Sequence, residues 1–362
     1  MSLSIGIVGL PNVGKSTLFN ALTNNSVLAA NYPFATIEPN TGIVPVPDAR
    51  LAELQKLYSA PKVIPATVTF VDIAGLVAGA SNGEGLGNKF LANIRECDAI
   101  AHVVRAFHAD VLHVSNHEDG TNPTADIDII TTELILADIQ TIQNHLPKVQ
   151  KDAKFDAAAK AKVVILEEVL AILNEGNAPT GLSEASKKAI HDLQLLSLKP
   201  VIYLFNVDEE ALTDDATKAK LNELIAPAPS VFVNAKLEEE LRSLDEADAH
   251  ELLESYGVTE SGLAQLARSA YDLLGLQSYL TAGPTEVRAW TIHQGDTAPQ
   301  AAGVIHTDFE KGFIAAAIVD YDDLIATGSE TAAKAAGKLR TEGRDYVMRP
   351  GDVVEFRFNV SK

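Results

Sequence analysis

The segment Gly9-Leu10-Pro11-Asn12-Val13-Gly14-Lys15-Ser16 constrains this chain more than any other. Ile5-Gly6-Ile7-Val8 before it reads as a short buried strand, and Thr17-Leu18-Phe19-Asn20-Ala21-Leu22 after it as the opening of a helix. Strand, G-x-x-x-x-G-K-[ST] and helix together make a phosphate-binding loop. Glycine is required because successive backbone N–H groups must turn inward around an anion with no Cβ in the way. The helix N-terminus adds partial positive charge. Lys15 is expected to reach the β- and γ-phosphates of a nucleotide and the Ser16 hydroxyl to hold Mg²⁺, with Asn12, Val13, Gly14 and Thr17 completing the binding stretch.

The rest of the chain extends this start into a doubly wound α/β fold. Ala66–Val71, Ala99–Val104, Pro200–Phe205 and Ser230–Val233 are apolar runs that read as strands. From Asp126 to Leu198 strand signals vanish. Ile135, Ile139, Ile142 and Leu146 recur at helical spacing, as do Leu166, Val169, Leu170 and Leu173, which predicts an inserted helical hairpin resembling a short coiled coil. Lys148, Lys151, Lys154, Lys160 and Lys162 fall near its tip, as either a solvated face or a partner-binding end. After a helix near Gly262–Leu274 the texture changes to short strands, Val287–Ile292 and Val353–Phe358, with Gly and Pro turns. The expected division is residues 1–125 with 199–277 for the phosphate-loop domain, 126–198 for the hairpin, and 278–362 for a small α+β module. Such a division suits a chain of 362 residues. Cys97 is the single cysteine, which suits a reducing, cytoplasmic setting. No apolar run nears the roughly 18 residues of a membrane span, so no membrane partner is expected. The net charge of −20 argues against coating nucleic acid non-specifically.

Three elements narrow the chemistry. Asp72-Ile73-Ala74-Gly75 closes an apolar strand. There the carboxylate is placed to hold Mg²⁺ and the Gly75 N–H to meet a γ-phosphate. Thr36 lies where a threonine completes the metal shell and senses that phosphate. Asn206-Val207-Asp208-Glu209 follows a strand where nucleotide switches carry N-K-x-D, and Asn234-Ala235-Lys236 fits the supporting base loop. The departures are informative. A guanine reader sets an aspartate against two donors of the base, whereas this chain has the longer Glu209, and Val207 where a lysine would lie over the ring. Adenine offers no 2-amino group to a carboxylate, while Asn206 retains a bidentate fit to N6 and N7. These residues predict ATP over GTP. Leu76 follows Gly75 in place of a water-orienting glutamine, so turnover should be slow. His113 is a candidate for positioning water, and Asn12 for holding a monovalent cation such as K⁺ near the phosphates. Arginines clustered as in the lid of a small-molecule kinase are absent.

Gly9–Ser16, Asn31–Phe34, Ile37–Asn40, Asp72–Val77, Gly83–Asn88, Asn206–Glu209 and Gln300–Phe309 together closely resemble the YchF subfamily of Obg-related P-loop proteins. The resemblance spans essentially the whole chain. It implies a G domain, an inserted hairpin and a C-terminal TGS domain. It also implies slow Mg²⁺-dependent hydrolysis of ATP to ADP and phosphate, association with ribosomes, and a switching role in translation or stress. It makes His113 the replacement for the missing glutamine. Residues 278–362 carry nine Lys or Arg against twelve Asp or Glu. RNA contact through that module is therefore not predicted, and the helical tip is the alternative ribosomal contact. A nucleotide-gated binding protein with incidental hydrolysis is the alternative reading.

Overall fold

The computed structural model describes residues 3–24, 40–73, 86–108 and 121–359. The chain divides into two compact units, one of Met1–Ile43 and Thr69–Leu266, the other of Val44–Val68 and Ala267–Lys362. This differs from the division expected from sequence in three respects. Val44–Val68 lies inside the expected first domain but belongs to the second unit. Its helix Ala49–Tyr58 packs on the C-terminal sheet, where Arg50 donates to the Pro350 carbonyl and Tyr321 donates to Glu53. The hairpin is part of the first unit, and the second begins within helix Gly262–Leu273.

The described residues form twelve strands: β1 Ser4–Val8, β2 Thr41–Pro45, β3 Val63–Ile64, β4 Thr67–Asp72, β5 Ala99–Ala106, β6 Val201–Val207, β7 Ser230–Val233, β8 Leu276–Ala282, β9 Val287–His293, β10 Phe313–Asp320, β11 Arg340–Glu342 and β12 Asp352–Phe358. The first sheet has the order β2-β4-β1-β5-β6-β7. β1 pairs in parallel with both β4 and β5, and β5, β6 and β7 continue in parallel. β1 and β5 are buried almost throughout, as strands covered on both faces must be. The strand order reverses beside β1. Crossovers of one hand therefore place their helices on opposite faces there, and a crevice opens at the strand ends. Register sets what meets in it. Ile7 lies beside Asp72, so the end of β4 adjoins the phosphate loop. Asn206 lies beside Val233, so Asn206 and Asn234 emerge together.

The predicted hairpin is present. Asn122 caps helix Pro123–Asp152 by accepting from Ala125 N at 3.1 Å. Asp156 caps helix Ala157–Asn174 through Ala158 N at 2.9 Å. Ile135, Ile142 and Val149 of one helix join Leu166, Val169 and Leu173 of the other in a buried seam, which accounts for the helical spacing in the sequence. At its base the buried Asp138 accepts from Leu196 N at 2.8 Å and from Ser197 N at 2.7 Å. Arg95 donates to Thr141 Oγ1 at 2.7 Å. Among the described residues no helix is long and apolar enough to cross a membrane.

The second unit holds a mixed sheet of order β11-β10-β12-β8-β9-β3. Its core gathers Tyr279, Phe313, Ile318 and Phe356 under helix Ala298–Ile305, and the buried Tyr279 hydroxyl donates to Ala301 O at 2.9 Å.

Candidate functional site

The phosphate loop leaves β1 and turns through two left-handed residues, Asn12 with φ 65° and Gly14 with φ 90°. The Leu18 N–H donates to Gly14 O at 3.0 Å, which starts helix Lys15–Asn24. Gly14 is required twice over. Its φ suits glycine, and a Cβ there would run into the Asn206 side-chain amide. Lys15 is buried, with its ammonium against the Asp72 carboxylate at the end of β4. Ser16, the next residue, is exposed and Thr17 half-buried. Thus the predicted lysine and aspartate meet, and the predicted serine is the residue next to that lysine. Thr36, Gly75 and His113 lie outside the described residues. Among the described residues no group of three His, Cys, Asp or Glu forms a metal cluster. Ser16 and Asp72 nevertheless are hard oxygen donors of the kind that Mg²⁺ takes alongside phosphate oxygens and water.

Beside this loop lies a cavity of about 620 Å³, lined by Gly14 and Thr17 at one end and by Phe107, His108, Asn206, Val207, Glu209 and Lys236 farther on. Two buried amides build its far wall. Asn206, only 4% exposed, donates from Nδ2 to Val13 O at 3.0 Å and accepts at Oδ1 from Ala235 N at 3.1 Å. Asn234 donates to Val207 O at 2.9 Å and accepts from Lys236 N at 3.1 Å and Leu237 N at 3.0 Å. Sequence reasoning gave Asn206 to a base. The fold first uses it to tie the phosphate loop to the loop after β7, leaving one N–H and one lone pair for anything else. Val207 is buried and gives the wall an apolar face.

The lining residues that sequence reasoning missed include Phe107 and His108. The buried Arg105 guanidinium sits 4.7 Å over the Phe107 ring. His108 Nδ1 lies 2.7 Å from Asp208 Oδ2, and its backbone N–H donates to the same oxygen at 3.1 Å. The signal was positional. These residues stand just past the C-terminal end of β5, next to the strand-order reversal, where ligands collect in such sheets. Behind the wall, Glu238 of helix Ala235–Leu241 accepts from Gly262 N at 2.6 Å. Burial raises its carboxyl to about 7.

A glycine-bearing loop between strand and helix, an ion-paired lysine and aspartate, and a cavity walled by strand-end amides define a P-loop nucleotide-binding protein of mixed α/β fold. Comparison with known proteins agrees. The MMR_HSR1 family model, described as a 50S ribosome-binding GTPase, matches residues 4–121. The YchF-GTPase_C model, described as a protein of unknown function, matches residues 276–359. The chain is 50% identical over 366 residues to the ribosome-binding ATPase YchF of Haemophilus influenzae, covering 99% of this chain and 100% of that one. Against the protein of the same name from Bacillus subtilis it is 48% identical over 373 residues, with 99% and 100% covered. The structure of the Schizosaccharomyces pombe YchF GTPase superposes with a TM-score of 0.86 at 40% identity, covering 98% of each chain. The chain belongs to the YchF family.

Proposed function

We propose that this chain is a ribosome-associated nucleotidase that binds ATP in preference to GTP and hydrolyses it slowly to ADP and phosphate with Mg²⁺, as a switch in translation or stress response. The observation that carries the reading is the cavity that runs from Gly14 and Thr17 to Val207 and Glu209. Its near end suits a phosphate tail. Its far end has an apolar valine where a guanine site needs a lysine, and a carboxylate one methylene longer than guanine takes. The relatives' names divide on the base, ATPase for the bacterial proteins and GTPase for the fission-yeast structure, so the lining residues carry the argument for adenine. The names of the bacterial relatives supply the ribosome. The setting is cytoplasmic, and residues 278–362 act as a TGS domain.

In this reading Lys15 leaves Asp72 for the β- and γ-phosphates, and Asn12, Val13, Gly14, Ser16 and Thr17 surround them. Ser16, Thr36 and Asp72 hold Mg²⁺, which neutralises phosphate charge when bound. Gly75 offers its N–H to the γ-phosphate, His113 orients water in place of the absent glutamine, and Asn12 helps hold K⁺. Asn206, Val207, Glu209, Asn234, Ala235 and Lys236 enclose the base. Calorimetric titration with ATP and GTP in Mg²⁺ tests it, with K⁺ and Na⁺ in parallel. ATP should bind at least tenfold tighter, and equal or tighter GTP binding overturns the base assignment. Tight ATP binding with no phosphate release, with or without ribosomes, supports the alternative of a nucleotide-gated binding protein, to which Leu76 already points.

A further inference from the structure

The far end of the helical hairpin carries a group of side chains that the nucleotide cavity does not use. Between Lys148 and Lys162 stand five lysines against two aspartates, in a chain whose net charge is −20. Lys148, Lys151, Lys154 and Lys160 are exposed and make no ion pair among the described residues. Lys162 alone is paired, with Asp192 at 2.5 Å. Asp156 is committed to its helix cap. In the turn between the helices Phe155 is 96% exposed. The hairpin seam closes without it, on Val149, Leu166 and Val169. A phenyl ring left in water forgoes about 1.5–3 kcal/mol of burial.

Charge and distance make the tip a separate electrostatic region. From Thr141, where Arg95 holds the helix, to Lys151 the helix rises about 15 Å. The Debye length at physiological salt is about 8 Å. The acidic body therefore screens these lysines little, and a polyanion approaching the tip meets them first. A protein-binding hot spot needs an apolar surround from which lysine is depleted, whereas here one ring stands among lysines. A membrane-surface helix needs a broad apolar face, which this turn lacks. Lysines on phosphates with a single ring under an unpaired base is the manner in which single-stranded and looped RNA is held.

We propose that the hairpin tip is an RNA-docking element, in which Lys148, Lys151, Lys154 and Lys160 contact phosphates and Phe155 stacks on an unpaired base. It deepens the ribosome-associated reading by naming RNA as what is contacted and this tip as what contacts it. The test uses the full-length chain, protein-free ribosomal RNA, intact ribosomes, and vesicles of phosphatidylglycerol. Lys151→Glu with Lys154→Glu should weaken RNA binding at least tenfold at low salt and flatten its salt dependence. Phe155→Ala should weaken it about fivefold or more. Melting temperature and basal phosphate release should stay unchanged in both. The proposal is overturned if the unsubstituted chain binds no RNA, if both variants bind RNA as tightly as it does, or if it binds vesicles and not RNA. Co-sedimentation with ribosomes separates the two levels. Ribosome binding indifferent to the substitutions sinks the tip and leaves the ribosome reading standing. RNA binding that needs the tip, without ribosome binding, sinks the ribosome reading and leaves the tip.

Discussion

The two ends of the cavity are built from different materials. At the phosphate-loop end the wall is a backbone turn made by two left-handed residues, Asn12 and Gly14. At the other end it is made of side-chain amides, Asn206 and Asn234, each buried and each bonded to backbone on both sides. Backbone geometry leaves a strict signature, because few residues adopt it. An amide clamp leaves only an asparagine after a strand, which many turns also show. The ends are also not independent, since Asn206 holds the Val13 carbonyl and Gly14 leaves the room for it to do so.

Gly14→Ala should do the most damage, because it strikes both ends. The left-handed φ costs alanine about 1–2 kcal/mol. The methyl also displaces the Asn206 amide, leaving buried partners short of a hydrogen bond at about 1–3 kcal/mol. Nucleotide affinity should fall on the order of a hundredfold or more, with a lower melting temperature, by calorimetry and thermal unfolding on the same sample. If affinity falls but the melting temperature does not, the amide relaxes freely and the ends are uncoupled.

Asn206→Ala comes next and decides what the amide is for. It leaves Val13 O and Ala235 N without their partner, a loss of about 2–4 kcal/mol between stability and binding. If Asn206 acts mainly as a clamp, ATP and GTP affinities should fall by similar factors. If it mainly reads the base, ATP should lose more, and the ratio of the two dissociation constants is the measurement that separates them.

That contrast also explains what the sequence made legible. The phosphate loop, Asp72, the hairpin seam and every parallel strand from β4 to β7 could be read, because periodicity and glycine spacing are local properties. The ion pair of Lys15 with Asp72 was not read, because the two residues were assigned separately, one to phosphate and the other to Mg²⁺. The membership of Val44–Val68 in the second unit could not be read, since it depends on β3 joining β9 far along the chain. Phe107 and His108 were invisible as cavity-lining residues for a similar reason. Only the placement of β5 beside the strand-order reversal, and of Asp208 across from it, gives an aromatic and a histidine any role there. Val207 was read for what it lacks, a lysine's reach, and the structure adds that it is a buried wall.

The smallest effect on nucleotide binding should come from Glu238, which lies behind the amide wall rather than in it. Burial raises its carboxyl to about 7 from the ordinary 4.5, so the folded chain holds the proton more tightly than the unfolded one. The stability this gives is complete below pH 4.5 and is lost as pH climbs through 7, about 3 kcal/mol across that window. Glu238→Gln keeps an oxygen for the Gly262 N–H and has no proton to lose. Relative to that variant, the unsubstituted chain should therefore lose about 3 kcal/mol of unfolding free energy between pH 4.5 and pH 7.5, read by urea titration at each pH. Both proteins should bind nucleotide alike at pH 7. A difference that stays flat with pH would mean that the carboxyl is already ionised in the fold, held by the Gly262 and Leu263 N–H groups at the start of their helix. The wall would then rest on a charge–dipole contact instead of a protonated one. A change in nucleotide affinity at constant stability would show that the base end reaches one layer deeper than Asn234, and would erase the distinction between a rigid amide wall and the helix that supports it.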